Sequence, residues 1–238
     1  MSGPANDAPS GEVCVVLPCA GAGVRFDAPY PKELHCIAAG TTVLDLSLAP
    51  FLDLAAQGWR LRLIAVLSTA KLATAGYLAR FADRLTVVMT YQSPRHGPGL
   101  RGALAAATPL CTSDTVLVLP DQFCTWDPAD NPIRSALHGL AQHRWAVLAA
   151  PVADPALLAG EGAVRVEAVG GAERVTAAAE KPADPAPYNA VWVCVAVTAD
   201  AVARLPDVVG TATPHPLVGA AVVRVDGYRN VTTPGVAA

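Results

Sequence analysis

The stretch Leu17-Pro18-Cys19-Ala20-Gly21-Ala22-Gly23-Val24-Arg25-Phe26 decides how the rest of the chain is read. It closes an apolar run, residues 13–17, with the length and composition of a buried strand. A strand that ends in a glycine-rich loop brings backbone amides close to phosphate. Ala20, Gly21 and Gly23 are the loop positions for that approach. The loop also carries a cation, Arg25, and a second, Lys32, follows in Pro31-Lys32-Glu33-Leu34. Two cations around such a loop suit a polyphosphate and the pyrophosphate that leaves it. Two other phosphate loops are excluded by spacing. A dinucleotide fingerprint needs a third glycine where this chain has Phe26, and a Walker loop needs a terminal Gly-Lys-Ser/Thr.

Outward from this loop, apolar runs alternate with helical patterns. Strands are expected at 61–67, 85–90, 115–119 and 145–150, with helices at 43–56, 71–81, 100–107 and 132–143. In the first helix Leu44, Leu48, Phe51, Leu52 and Ala55 fall on one face. This βαβ rhythm predicts an α/β fold, a Rossmann-like, mostly parallel sheet with helices on both faces. After Pro151 the pattern turns β-rich. Residues 163–169 and 174–178 flank Gly170-Gly171 as a hairpin, 189–197 is a long apolar strand, 199–205 a short helix and 222–225 a late strand. The expected organisation is a polar, disordered tail at 1–12 and a single domain over 13–238. Its first part, about 13–150, would bind nucleotide, and its second, about 151–238, a second substrate.

Bulk properties narrow the class. With 53% hydrophobic and 16% charged residues in 238, a large core is available. A net charge of −3 and the lack of a basic stripe with interleaved aromatics argue against a nucleic-acid partner or an anionic membrane surface. No apolar run approaches the roughly 20 residues that cross a bilayer. The six cysteines form no Cys-x-x-Cys pair, so zinc and redox dithiols are not indicated, and a reduced cytoplasmic protein is the simplest account.

In an open α/β sheet, ligands bind at the carboxyl ends of the strands. That rule puts two further segments on the rim of the Gly21 loop. Asp121 ends the run Val116-Leu117-Val118-Leu119-Pro120-Asp121, and a carboxylate at a buried strand tip beside a phosphate loop is a natural Mg²⁺ ligand. Gln92 and Gly97 lie in Tyr91-Gln92-Ser93-Pro94-Arg95-His96-Gly97-Pro98-Gly99. An amide there can both donate to and accept from a pyrimidine edge, and glycines admit a base and ribose. Glu180-Lys181-Pro182, which the rule does not place, pairs a carboxylate that can accept from hydroxyls with an ammonium that can neutralise a phosphate monoester.

In order and spacing these stations resemble the sugar-phosphate nucleotidyltransferases, the enzymes that join a nucleoside triphosphate to a sugar phosphate. The likeness spans residues 13–234: the Gly-x-Gly-x-Arg loop, Pro31-Lys32, Gln92 five residues before Gly97, Asp121, a strand at Gly162-Ala163-Val164, Glu180-Lys181-Pro182, Asn189 before a strand, and Tyr228-Arg229-Asn230-Val231-Thr232-Thr233-Pro234. It implies a fold of the nucleotide-diphospho-sugar transferase type. It also implies a Mg²⁺-dependent reaction giving a nucleotide sugar and pyrophosphate, an EC 2.7.7 activity.

The resemblance assigns roles residue by residue. Arg25 and Lys32 would be catalytic, and Ala20, Gly21, Gly23, Gln92 and Gly97 would hold nucleotide. Gly162, Glu180, Lys181 and Asn189 would hold the acceptor, and Asp121 and Asn230 the metal, with Asp226 a rival to Asn230. The sequence departs from the pattern at Val24, where a hydroxyl is usual, at Pro120, where glycine is usual, and at Asn230, where aspartate is commoner. Two alternatives stay open: a non-sugar acceptor such as a polyol phosphate, phosphonate or molybdopterin, and a non-catalytic protein that binds nucleotide sugars. The identity of the acceptor and of the triphosphate, and the presence of a homodimer, are left open.

Overall fold

A computed structural model describes residues 11–21, 23 and 26–231. Arg25, Val24 and residues 232–234 lie outside the described residues, as does most of the expected tail.

The first part reads in chain order as β1 (Glu12–Pro18), β2 (Cys36–Ala38), β3 (Thr41–Thr42), α1 (Val43–Ala56), β4 (Arg60–Leu67), α2 (Leu72–Leu78), β5 (Thr86–Tyr91), α3 (Gly99–Ala107), β6 (Thr115–Val118), β7 (Gln122–Thr125), α4 (Pro132–Gly139) and β8 (Trp145–Pro151). The second part adds α5 (Pro155–Gly160), β9 (Gly162–Val169), β10 (Ala172–Glu180), β11 (Ala190–Val197), a 3-10 segment Val202–Val209, β12 (Ala221–Arg224) and β13 (Asp226–Asn230). Thr42 starts α1 with a capping box: its hydroxyl accepts from Asp45 N at 3.2 Å, and Asp45 Oδ2 accepts from Thr42 N at 2.8 Å. Asn131 caps α4 in front of Pro132, a residue suited to the first helical turn.

Nine strands form one sheet in the order β5-β4-β1-β6-β11-β8-β12-β10-β9. The sheet is mixed: seven of its nine strands run in one direction, and β11 and β10 run against them. β5, β4, β1 and β6 run parallel, but β11 enters antiparallel between β6 and β8, and β10 is antiparallel to both β12 and β9. Every residue of β11 is buried, so the strand is apolar throughout and its sequence carries no mark of direction.

The two faces of the sheet bury different side chains of the same strands, as the twofold period requires. Val13, Val15 and Leu17 of β1 pack with Leu44, Leu48 and Phe51 of α1 and with Ile133 of α4. Cys14 and Val16 pack with Ala103, Leu104 and Ala107 of α3 and with Leu205 and Val208 of the late 3-10 segment. Among the described residues no helix is long and apolar enough to cross a membrane.

Candidate active site

The carboxyl ends of β1 and β6 open onto a cleft of about 210 Å³. Its wall includes Gly21, Lys32, Asp121, Gly162, Glu180, Lys181 and Asn230. They come from six separate segments of the chain. Gly21 follows β1. Lys32 begins a 3-10 turn, Lys32–Leu34, that closes through Leu34 N to Pro31 O at 2.9 Å. Asp121 lies three residues beyond the end of β6, and Glu180 ends β10 opposite Gly162 in the β10–β9 register. Asn230 returns on β13, which pairs with β7 through Asn230 and Gln122, and Val231 N donates to Asp121 O at 3.0 Å. Chain positions far apart in sequence are thereby fixed against one another by backbone hydrogen bonds.

The electrostatics are dense for so apolar a chain. Lys32 Nζ is paired with Asp121 Oδ2, and Lys181 Nζ stands 3.7 Å from Glu180 Oε1. Beneath them Lys71 Nζ donates to both oxygens of Glu33 at 3.0 Å, and Thr74 Oγ1 donates to Glu33 Oε1 at 2.7 Å. Glu33 neighbours Lys32, so this buried ion pair anchors the turn that presents Lys32. Glu161 accepts from Gln122 Nε2 at 3.1 Å and from Asn230 Nδ2. Burial pushes its carboxyl up; the Asn230 amide opposes this, while Asp121 and Glu180 add to it. Burial likewise raises Glu180, against Lys181, and raises the hydroxyl of Tyr228, where Glu161 and Asp121 add to the effect.

Five expected residues, Gln92, Gly97, Asn189, Ala20 and Gly23, are not among those that line the cleft. Gln92 donates to Gly97 O at 2.7 Å and Gly99 O at 3.1 Å, so its amide nitrogen is committed to the shape of its own loop. Gly97, with φ of 79°, supplies one of those carbonyls. Gly102 makes room for both, since a Cβ there would sit 2.4 Å from Gln92 Nε2. Asn189 does not face the acceptor side of the cleft: its Oδ1 accepts from Val166 N at 2.9 Å and its Nδ2 donates to Val166 O at 3.0 Å, tying the start of β11 to β9. Ala20 packs against the α3-side core and Gly23 takes φ of 63°. Asp226, the rival to Asn230, is exposed opposite Thr125, whereas Asn230 lines the cleft.

The wall also holds residues that the sequence did not single out: Glu33, Lys71, Gln122, Glu161 and Trp192. Glu161 directly precedes the Gly162 strand, and that position was its only signal. Trp192 sits in an apolar strand like any core residue, yet its indole lies so close over Gly162 that a Cβ there would be 1.8 Å from Nε1.

A Mg²⁺ ion fits this donor set. Asp121 and Glu161 offer carboxylates, and Gln122 Oε1 and Asn230 Oδ1 are buried without a hydrogen-bond partner. These are the hard oxygen ligands the ion takes. Among the described residues no three His, Cys, Asp or Glu side chains form a metal cluster, so such an ion would rely on neutral oxygens and substrate phosphates as well.

The fold has close counterparts among solved structures. A UDP-glucose pyrophosphorylase from Acinetobacter baumannii superposes with a TM-score of 0.72 at 17% identity, over 94% of this chain and 90% of that one. A UDP-glucose pyrophosphorylase solved with UDP-glucose gives 0.73 at 16% identity over 94% of each chain. The inositol-1-phosphate CTP transferase of T. maritima gives 0.65 at 14% identity, over 93% and 89%. No family model matches the sequence, and no curated protein does. The mixed α/β fold is thus the one these sugar-phosphate nucleotidyltransferases share, and it is the group that the sequence motifs resemble.

Proposed function

We propose that the protein is a Mg²⁺-dependent nucleotidyltransferase that joins a nucleoside triphosphate to a sugar-1-phosphate, yielding a nucleotide sugar and pyrophosphate. One observation carries this reading: Lys32, Asp121, Glu180, Lys181 and Asn230, drawn from separate segments, line a single cleft beside the Gly21 loop.

The acceptor phosphate oxygen attacks the α-phosphorus. A new P–O bond forms there while the bond from the α-phosphorus to the bridging oxygen breaks, and pyrophosphate leaves. The nucleophile is already anionic, so no general base is needed and catalysis reduces to positioning and charge neutralisation. Lys181, 57% exposed at its side chain, is free to swing from Glu180 to the acceptor phosphate, and Glu180 accepts from acceptor hydroxyls. Lys32 balances charge developing at the α-phosphate, and Arg25 holds the outer phosphates. Asp121 and Asn230 would hold the ion, whose charge would neutralise the triphosphate. Binding triphosphate therefore has to part Lys32 from Asp121.

Pyrophosphate release across UTP, dTTP, CTP, ATP and GTP, each with a panel of sugar-1-phosphates, tests the proposal. At least one pair should turn over, chelation by EDTA should stop it, and Asp121→Ala should reduce it to background. No turnover with any pair, or full activity in Asp121→Ala, refutes it.

A further inference from the structure

Four carboxylates line the cleft, and three of them have a lysine: Glu33 pairs with Lys71, Asp121 with Lys32 and Glu180 with Lys181. Glu161 makes no ion pair with a described residue. Its partners are the neutral amides of Gln122 and Asn230. Glu161 is half-buried, and a carboxylate drawn out of water without a counter-charge is costly; such groups persist where a ligand supplies the charge.

The amides identify the kind of ligand. Gln122 is 5% exposed and leaves Oε1 buried and unpartnered, and Asn230 leaves Oδ1 in the same state. Both turn their NH₂ groups to Glu161 and keep their carbonyl oxygens unused. The result is one carboxylate flanked by two open oxygens, with Asp121 at the other end of Gln122's peptide bond. Asp121 alone is neutralised by Lys32, and Asn230 brings no charge, so those two residues by themselves give a divalent ion little to bind.

On the reading above, we infer that Glu161 is the second carboxylate of the cation site and supplies the charge that Asn230 lacks. The inference predicts a charge exchange: a carboxylate at position 230 should do the work of the one at 161.

The test measures binding and not turnover. Triphosphate affinity is read by titration calorimetry, with saturating Mn²⁺ and with EDTA, and the ratio of the two affinities is the coupling between metal and nucleotide. UTP is the first probe, followed by the other four triphosphates. In the unaltered protein Mn²⁺ should tighten binding of at least one of them. Glu161→Gln should cut that coupling about tenfold or more, the range found when groups that support a metal are lost. Glu161→Gln combined with Asn230→Asp should bring it back to within a few-fold of the unaltered protein. If Glu161→Gln leaves the coupling intact, or if Asn230→Asp fails to restore it in a folded double variant, the inference is overturned while the proposed activity stands. If no triphosphate binds with or without Mn²⁺, both fall together.

Discussion

Burial pushes the Glu180 carboxyl up, although Lys181 lies 3.7 Å away and pulls it down. A carboxylate raised in the folded state binds its proton more readily there than in the unfolded chain. Stability is then full below the ordinary glutamate range, about 4.3, and is lost as pH rises through the folded value. Glu180→Gln should therefore melt higher than the unaltered protein at pH 8, and the two should converge near pH 4. Thermal melts at both values decide it, and a variant that is less stable at pH 8 would show that the Lys181 pair outweighs burial. The same physics explains which residues were legible beforehand. Lys32, Asp121, Glu180, Lys181 and Asn230 stand in spaced motifs whose chemistry shows in the letters. Glu161 and the Lys71–Glu33 pair do not, because what marks them is burial, and a sequence records charge but not depth. Gln92 and Asn189 were legible as amides that matter, but the groups that claim them are backbone groups of Gly97, Gly99 and Val166, which no side-chain pattern announces.

At the scale of elements, the start of β9 is set by the fit between Gly162 and the Trp192 indole on β11. Gly162→Ala should cost about 1–3 kcal/mol, the usual penalty for overpacking, and should shift the tryptophan at the cleft wall. Gly160→Ala is the control, since a Cβ there meets nothing within 4 Å. Urea unfolding of both measures the contrast, and equal stabilities would mean that the indole moves aside freely. The helix α1 occupies the residues the apolar stripe predicts. The expected helix 132–143 stops sooner, at Gly139, and the expected helix 199–205 is a 3-10 segment over Val202–Val209 with Pro206 inside it. β7 and β13 escaped notice because Gln122–Thr125 and Asp226–Asn230 are short and half polar, without the alternation that marks a strand. They matter all the same, since one follows Asp121 and the other delivers Asn230.

For the molecule as a whole, the decisive strand is β11. It pairs with β6 on one side, with β8 on the other, and with β9 at its start. The expected nucleotide-binding and acceptor-binding parts therefore share a strand and much of a core. Calorimetry should show one cooperative unfolding transition, and two separated transitions would show that the parts unfold independently. The α/β character was visible in the alternating runs, but the insertion of β11 among parallel neighbours was not, because a strand buried on both faces reads the same in either direction. The pairing of β13 with β7 has a consequence in time. Asp121 and Gln122 emerge from the ribosome roughly a hundred residues ahead of Asn230. A nascent chain can fold its first strands and still lack one side of the cleft. On the proposed function, triphosphate capture is thus deferred until Asn230 has been made, and fragments that stop short of it carry the glycine loop without the far side of the cleft.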